Sequence, residues 1–290
     1  MNPNGKRRRC NAAPPNNKKE KMMRAIWYGI VAGIGMAVAM PVPAESVAEA
    51  GRALMEEKQE TVVTLKLVIE ESVSMPGQGG ESRETTSEAQ GTVISPNGLI
   101  VMSLSETDPS SVLEGMGGMM GQDLRIETEL QDVTIIQPDG GEVDGRMVLR
   151  DPDFDLAFIE PTEEYEESQQ YVDLNNGVDV ELLDEVIILN RLGPIAGRNY
   201  GASVRRIESL VEHPRTFYVP STGEGGSLGL GSPVFNVEGE FVGILVLRSR
   251  GGGGGFPGGA MRDNILPIIL PAVDILEAAQ QAEGFEENDG

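Results

Sequence analysis

Gly91-Thr92-Val93-Ile94-Ser95-Pro96-Asn97-Gly98-Leu99-Ile100-Val101 is the stretch that sets the class of fold. Two short runs rich in apolar and β-branched residues, Gln90 to Ile94 and Leu99 to Ser103, flank a Pro96-Asn97-Gly98 turn, which reads as a hairpin. A second unit of this kind lies downstream, where Glu238-Gly239 separates Ser232 to Asn236 from Phe241 to Leu247. Outward from these, strand-like runs recur at Thr61 to Ile69, Leu124 to Gln137, Glu142 to Leu149, Asp155 to Glu160, Glu185 to Leu189, Ala202 to Val211 and Thr216 to Val219. Closely spaced strands with no interleaved helix predict an all-β barrel or sandwich rather than βαβ units. The Gly/Ser/Glu composition of Pro76 to Glu88 predicts a loop.

Helical spacing occurs only at the flanks. Ser46 to Lys58 sets Val47, Ala50, Leu54 and Met55 at helical intervals behind a serine cap, and Pro271 to Gln281 predicts one closing helix. Gly115 to Gly121 reads as a disordered loop, with an adaptable Met-lined contact surface as the alternative. The five glycines from Gly251 predict a flexible loop; no Lys-Ser/Thr follows them, so they are not a phosphate-binding loop. Glu283 to Gly290 is expected to be disordered.

Residues 1–44 read as targeting. Lys6 to Arg9, Lys18, Lys19, Lys21 and Arg24 precede the 16-residue apolar run Ala25 to Met40, and Val42-Pro43-Ala44 offers a small-residue cleavage site. The run is short against the ~20 residues of a spanning helix. A cleaved signal peptide and export to the periplasm or beyond are therefore expected, with an uncleaved anchor as the alternative; Met22 or Met23 is an alternative start. Of 23 basic and 46 acidic residues, eight and one fall in this leader, leaving 15 against 45 and a formal charge of −30. Such a chain repels nucleic acid and anionic membrane surfaces. The only cysteine, Cys10, lies in the leader, so no disulfide is expected downstream. The expected layout is a leader over 1–44, a helix over 45–58, one β domain over 59–283 and a tail over 284–290.

Four ordered segments resemble the protease domain of HtrA/Deg serine proteases. Gly91 to Val101 is similar to the hairpin that leads into the family's catalytic histidine. Val133 to Ile159 resembles the stretch that ends at the catalytic aspartate, and Asp184 to Gly193 resembles the family's G-[DE]-x-V-x-x-I-G-x-x-x-G segment. Gly231 to Ile244 is similar to the segment after the nucleophilic serine. The resemblance spans most of residues 59–283 and implies a trypsin-like, chymotrypsin-type fold: two six-stranded antiparallel β-barrels with the active site between them.

Carried over position by position, the resemblance implies a degenerate triad. Asp155 retains the acid, Ser105 stands at the histidine position, and Leu230 stands at the serine position between Gly229 and Gly231. Leu228 replaces a glycine that helps shape the oxyanion hole. Serine attack needs a base able to take the hydroxyl proton, and the acid only orients that base. The expected function is thus a secreted non-catalytic homologue (a pseudoprotease) that binds peptides or partner proteins. Two alternatives stay open: an active endopeptidase using Ser227 or Ser232, and a regulatory subunit of an active paralogue. Family members commonly form trimers, so a homo-oligomer is possible; no following PDZ domain is expected. His213, the only histidine, reads as a surface residue, and Lys58 and Lys66 precede the first barrel motif. Asp151-Pro152-Asp153-Phe154-Asp155 has the first carboxylates of a calcium loop, but Leu156 and Thr162 stand where glycine and glutamate belong. No metal and no cofactor are expected.

Overall fold

The computed structural model describes residues 46–74, 81–107, 125–163, 165, 169–222, 229–249 and 265–282. The loops expected at 115–121 and 251–255, the leader and the tail lie outside the described residues.

Helix α1 (Val47–Lys58) opens on a capping box. The Ser46 side chain accepts the Glu49 backbone N–H while the Glu49 carboxylate accepts the Ser46 backbone N–H. Among the described residues twelve strands follow: β1 (Val62–Ser74), β2 (Glu81–Val93), β3 (Ile100–Ser103), β4 (Arg125–Ile136), β5 (Glu142–Asp151), β6 (Leu156–Pro161), β7 (Glu185–Arg191), β8 (Tyr200–Val211), β9 (Phe217–Pro220), β10 (Pro233–Asn236), β11 (Phe241–Ser249) and β12 (Ile265–Pro271). Helix α2 (Ala272–Ala279) is the last element among the described residues. Strands β1-β2-β3-β6-β5-β4 close one antiparallel barrel and β10-β11-β12-β9-β8-β7 close the other.

The period of two along each strand sorts side chains between three cores. On β3, Ile100 and Met102 fill barrel 1 beside Leu65, Leu67 and Ile135. Their neighbour Val101 points the other way, into a cluster between the barrels with Leu156, Phe235, Ile244 and Leu270. On β7, Val186 and Ile188 fill barrel 2 while Ile187 and Leu189 face the shared cluster. A fully buried side chain of this size contributes about 1.5–3 kcal/mol. Burial on both strand faces explains why β3 and β6 read as continuous apolar runs rather than alternating ones.

The structure departs from the sequence expectations in three places. Residues 81–88, expected as loop, form the first half of β2 and pair with β1 from Val73↔Glu81 to Lys66↔Glu88. β1 offers ladder partners on both sides, with β4 on the other, and backbone pairing outweighs the weak strand propensity of Glu, Ser and Arg. Strand β12 was hidden by Pro267, because proline cannot donate to a ladder. It is tolerated because β12 meets β9 only at Ile269↔Tyr218, two residues further on. The strand expected from Asp155 begins one residue later, leaving Asp155 in the β5–β6 turn.

Candidate functional site

Asp155 sits at φ 60°, the left-handed region that Asp and Asn visit more readily than most residues. The turn is set by Asp151, whose Oδ1 accepts the N–H groups of Asp153 and Phe154 at 3.0 and 3.2 Å. This aims the Asp155 carboxylate at four donors. Oδ1 accepts the Ser105 N–H at 2.8 Å and the Ser105 hydroxyl at 2.6 Å. Oδ2 accepts the fully buried Ser103 hydroxyl at 2.5 Å and the Leu247 N–H, from barrel 2, at 2.8 Å. Ser105, at the position the resemblance assigns to a histidine, thus donates to the acid and offers no basic nitrogen.

Burial pushes the Asp155 carboxyl above its usual range, against the pull of these donors. Adjacent Glu106 is also raised, by burial first and then by the Asp155 charge. A carboxyl raised in the folded state makes stability fall as pH climbs from the ordinary carboxylate range through the raised value. Replacing Glu106 by Gln should therefore raise the thermal midpoint at pH 7. The gain should vanish below about pH 4, where Glu is neutral in folded and unfolded states alike. Thermal melts across that range check this; a variant less stable than wild type at pH 7 would contradict it.

Leu230 is buried, and its side chain packs in the barrel 2 core with Ile188, Val234 and Leu245. The backbone around it is fixed by Gly231 N–H donating to the Leu245 carbonyl at 2.7 Å and by Leu245 N–H donating to the Ser232 carbonyl at 3.0 Å. Leu247, which holds Asp155, is two residues further along the same strand, about 7 Å away at strand rise. β11 therefore brings the Asp155, Ser105 and Leu230 positions to one stretch of the barrel junction.

The alternative nucleophiles fare differently. Ser227, with Leu228, lies outside the described residues. Ser232 is fully buried and its hydroxyl donates to Gln90 Oε1 at 2.9 Å, which keeps it from a polypeptide substrate. His213 is exposed in the β8–β9 turn of barrel 2. Lys58 ends α1, where it pairs with Glu57 at 2.9 Å, and Lys66 lies within β1. Among the described residues no cluster of three or more Asp, Glu, His or Cys could hold a metal ion.

The residues that lock the junction carry no recognisable motif. Gln90 on β2 accepts from both Ser232 and the Arg191 N–H through its Oε1. The Thr92 hydroxyl donates to the Gly231 carbonyl at 2.7 Å. Arg198 forks onto Glu88 at 2.6 and 3.2 Å. Arg191, only 6% exposed, donates to the carbonyls of Ile136, Gln137 and Arg198. Most of these acceptors are backbone carbonyls, which leave no mark on residue type.

The sequence matches no protein-family model and no curated protein. Among solved structures, the chain is similar to the apo protease domain of MamO from Magnetospirillum magneticum. That similarity has 14% identity and a TM-score of 0.47, over 76% of this chain and 96% of that one. It is also similar to a serine-to-alanine variant of the HtrA-type protease AlgW with a tripeptide, at 14% identity and a TM-score of 0.49 over 79% of this chain. The match spans 62% of the AlgW chain's length. With two closed six-stranded antiparallel barrels packed on a shared core, the chain has the trypsin-like architecture that its sequence resembles.

Proposed function

We propose that this protein is an exported, non-catalytic homologue of HtrA-type serine proteases that binds a peptide or a partner protein. The observation that carries the reading is the Asp155 carboxylate, whose four donors are two serine hydroxyls and two backbone N–H groups. An acid that serves catalysis orients a base; here its hydrogen bonds are spent on the turn and the barrel junction, and no imidazole is among them. The buried Leu230 supports the same reading, since a nucleophile must present its side chain to substrate. The basic leader and its apolar run support export.

The test is cleavage of unfolded casein by the purified protein, with a fluorophosphonate probe for an activated serine. The expected result is no cleavage above buffer and no covalent adduct. A Leu230→Ser, Ser105→His double variant serves as the restoration control. Cleavage by the wild type that Ser227→Ala abolishes would establish an enzyme and overturn the proposal.

A further inference from the structure

The chain holds three Asn-Gly pairs: Asn4-Gly5 in the leader, Asn97-Gly98 and Asn176-Gly177. Every other asparagine precedes a residue with a side chain. An asparagine before glycine is open to attack by its own backbone, because no Cβ keeps the next main-chain nitrogen from its Cγ.

The fold treats the two described pairs differently. Asn97-Gly98 is locked in the β2–β3 turn. The Gly98 N–H donates to the Ser95 carbonyl at 3.1 Å, and Asn97 Oδ1 accepts the Ser95 hydroxyl. The Tyr165 ring lies over Gly98, 2.2 Å from where a Cβ would stand. Asn176-Gly177 instead ends the short 3₁₀ turn Leu174–Asn176, in the link between the barrels. Both residues are exposed, and among the described residues the Gly177 N–H meets no acceptor in hydrogen-bonding geometry. The Asn176 side chain donates through Nδ2 to Asp173 Oδ2 at 2.8 Å.

Glycine stands at 177 for space rather than conformation. Its φ of −67° suits any residue, but an added Cβ would lie 2.3 Å from the Cβ of Ala272, the first residue of α2. Leu174, in the same turn, is buried in the shared cluster with Ala272 and Ile275. The packing of α2 therefore fixes a glycine behind an exposed asparagine.

We propose that Asn176 is a site of spontaneous deamidation, which converts it to a mixture of aspartate and isoaspartate and loosens α2 from this turn. The Gly177 nitrogen gives its proton to hydroxide and attacks Asn176 Cγ. A C–N bond closes a cyclic imide, and Nδ2 takes a proton from water and leaves as ammonia. Water then opens the imide by breaking one of its two bonds to the Gly177 nitrogen, which regains its proton. Breaking the bond to Cγ gives aspartate, and breaking the bond to the main-chain carbonyl carbon gives isoaspartate. Water is the only co-reactant, and nothing is oxidised or reduced. Either product sets a carboxylate beside Asp173, where the Asn176 amide had been a donor. Isoaspartate also lengthens the backbone where Gly177 rests on Ala272.

The experiment is incubation of the purified, folded protein at mildly alkaline and mildly acidic pH. Peptide mapping by mass spectrometry follows both asparagines, and enzymatic methylation reports isoaspartate. Asn176 should lose its amide at least about tenfold faster than Asn97, the rate equivalent of the hydrogen bonds that hold Asn97 and Gly98. The loss should be faster at the alkaline pH, give both isomers, and lose its selectivity in urea. Asn176→Gln, whose longer side chain closes the ring poorly, should stay intact through the same incubation. Asn176→Asp, which carries one product without the reaction, should melt below wild type. Equal rates at Asn97 and Asn176 in the folded protein, no loss at Asn176, or aspartate without isoaspartate overturns the assignment. A selectivity that persists in urea also overturns it, because the fold would then not be its source. An Asn176→Asp variant as stable as wild type overturns the effect on α2. The mapping of the wild type needs no variant to fold.

Discussion

Replacing Asp155 by alanine is expected to lower the unfolding free energy by about 4 kcal/mol. The substitution strands the buried Ser103 hydroxyl together with the N–H groups of Ser105 and Leu247, and each unsatisfied buried donor costs about 1–3 kcal/mol. It also removes the acceptor through which the β5–β6 turn reaches Leu247 on β11. Asp155→Asn keeps the turn and one acceptor oxygen, so its loss should be about half as large. Urea unfolding of the two variants against wild type measures both. A loss under about 1 kcal/mol for alanine would mean that water replaces the carboxylate and that Asp155 does not hold the junction. The position that the resemblance assigns to catalysis would then have no structural account either.

Gly231→Ala should be comparably damaging, for a steric reason. Gly231 has φ 83°, where an alanine costs about 1–2 kcal/mol. Its added Cβ would stand 2.2 Å from the Gln90 carbonyl oxygen and 3.1 Å from the carbonyl carbon. Backbone cannot rotate aside, so the 229–232 segment and β2 must part. That stretches the Thr92 bond to the Gly231 carbonyl and the Ser232 bond to Gln90, and the total should reach about 4 kcal/mol. Gly140→Ala is the control, because Gly140 has φ 89° but nothing within 4 Å of an added Cβ. Thermal melts should show a small loss for Gly140→Ala and a much larger one for Gly231→Ala. Equal losses would mean that backbone conformation alone matters and that the close approach to β2 is relieved.

The parts of the fold that announced themselves did so through local chemistry. The hairpin around Pro96-Asn97-Gly98, the β10–β11 unit and the capped α1 combine strong turn or cap residues with a clear period. The first half of β2 did not, because its strand state comes from β1: Glu84 lies opposite Glu70, which itself faces Glu129 on β4, an arrangement no propensity favours. β12 failed for the opposite reason, since Pro267 signals a break that its position in the barrel makes harmless. At the site, Asp155, Ser105 and Leu230 could be placed by resemblance, but the hold of Leu247 on Asp155 could not. That donor is a main-chain N–H and is independent of the leucine side chain.

The hydrogen bonds of the junction also bear on the order in which the molecule can be made. Thr92 to Gly231 spans 139 residues, Gln90 to Ser232 spans 142, and Asp155 to Leu247 spans 92. The entropy of closing such loops is spent before any of these contacts is rewarded, whereas hairpins such as β2–β3 close cheaply. The segment carrying Leu230 therefore cannot complete its hydrogen bonds without β2, and β11 must have left the ribosome before Asp155 finds its last donor. The part of the chain that resembles an active site is joined by contacts between stretches made far apart in time during synthesis.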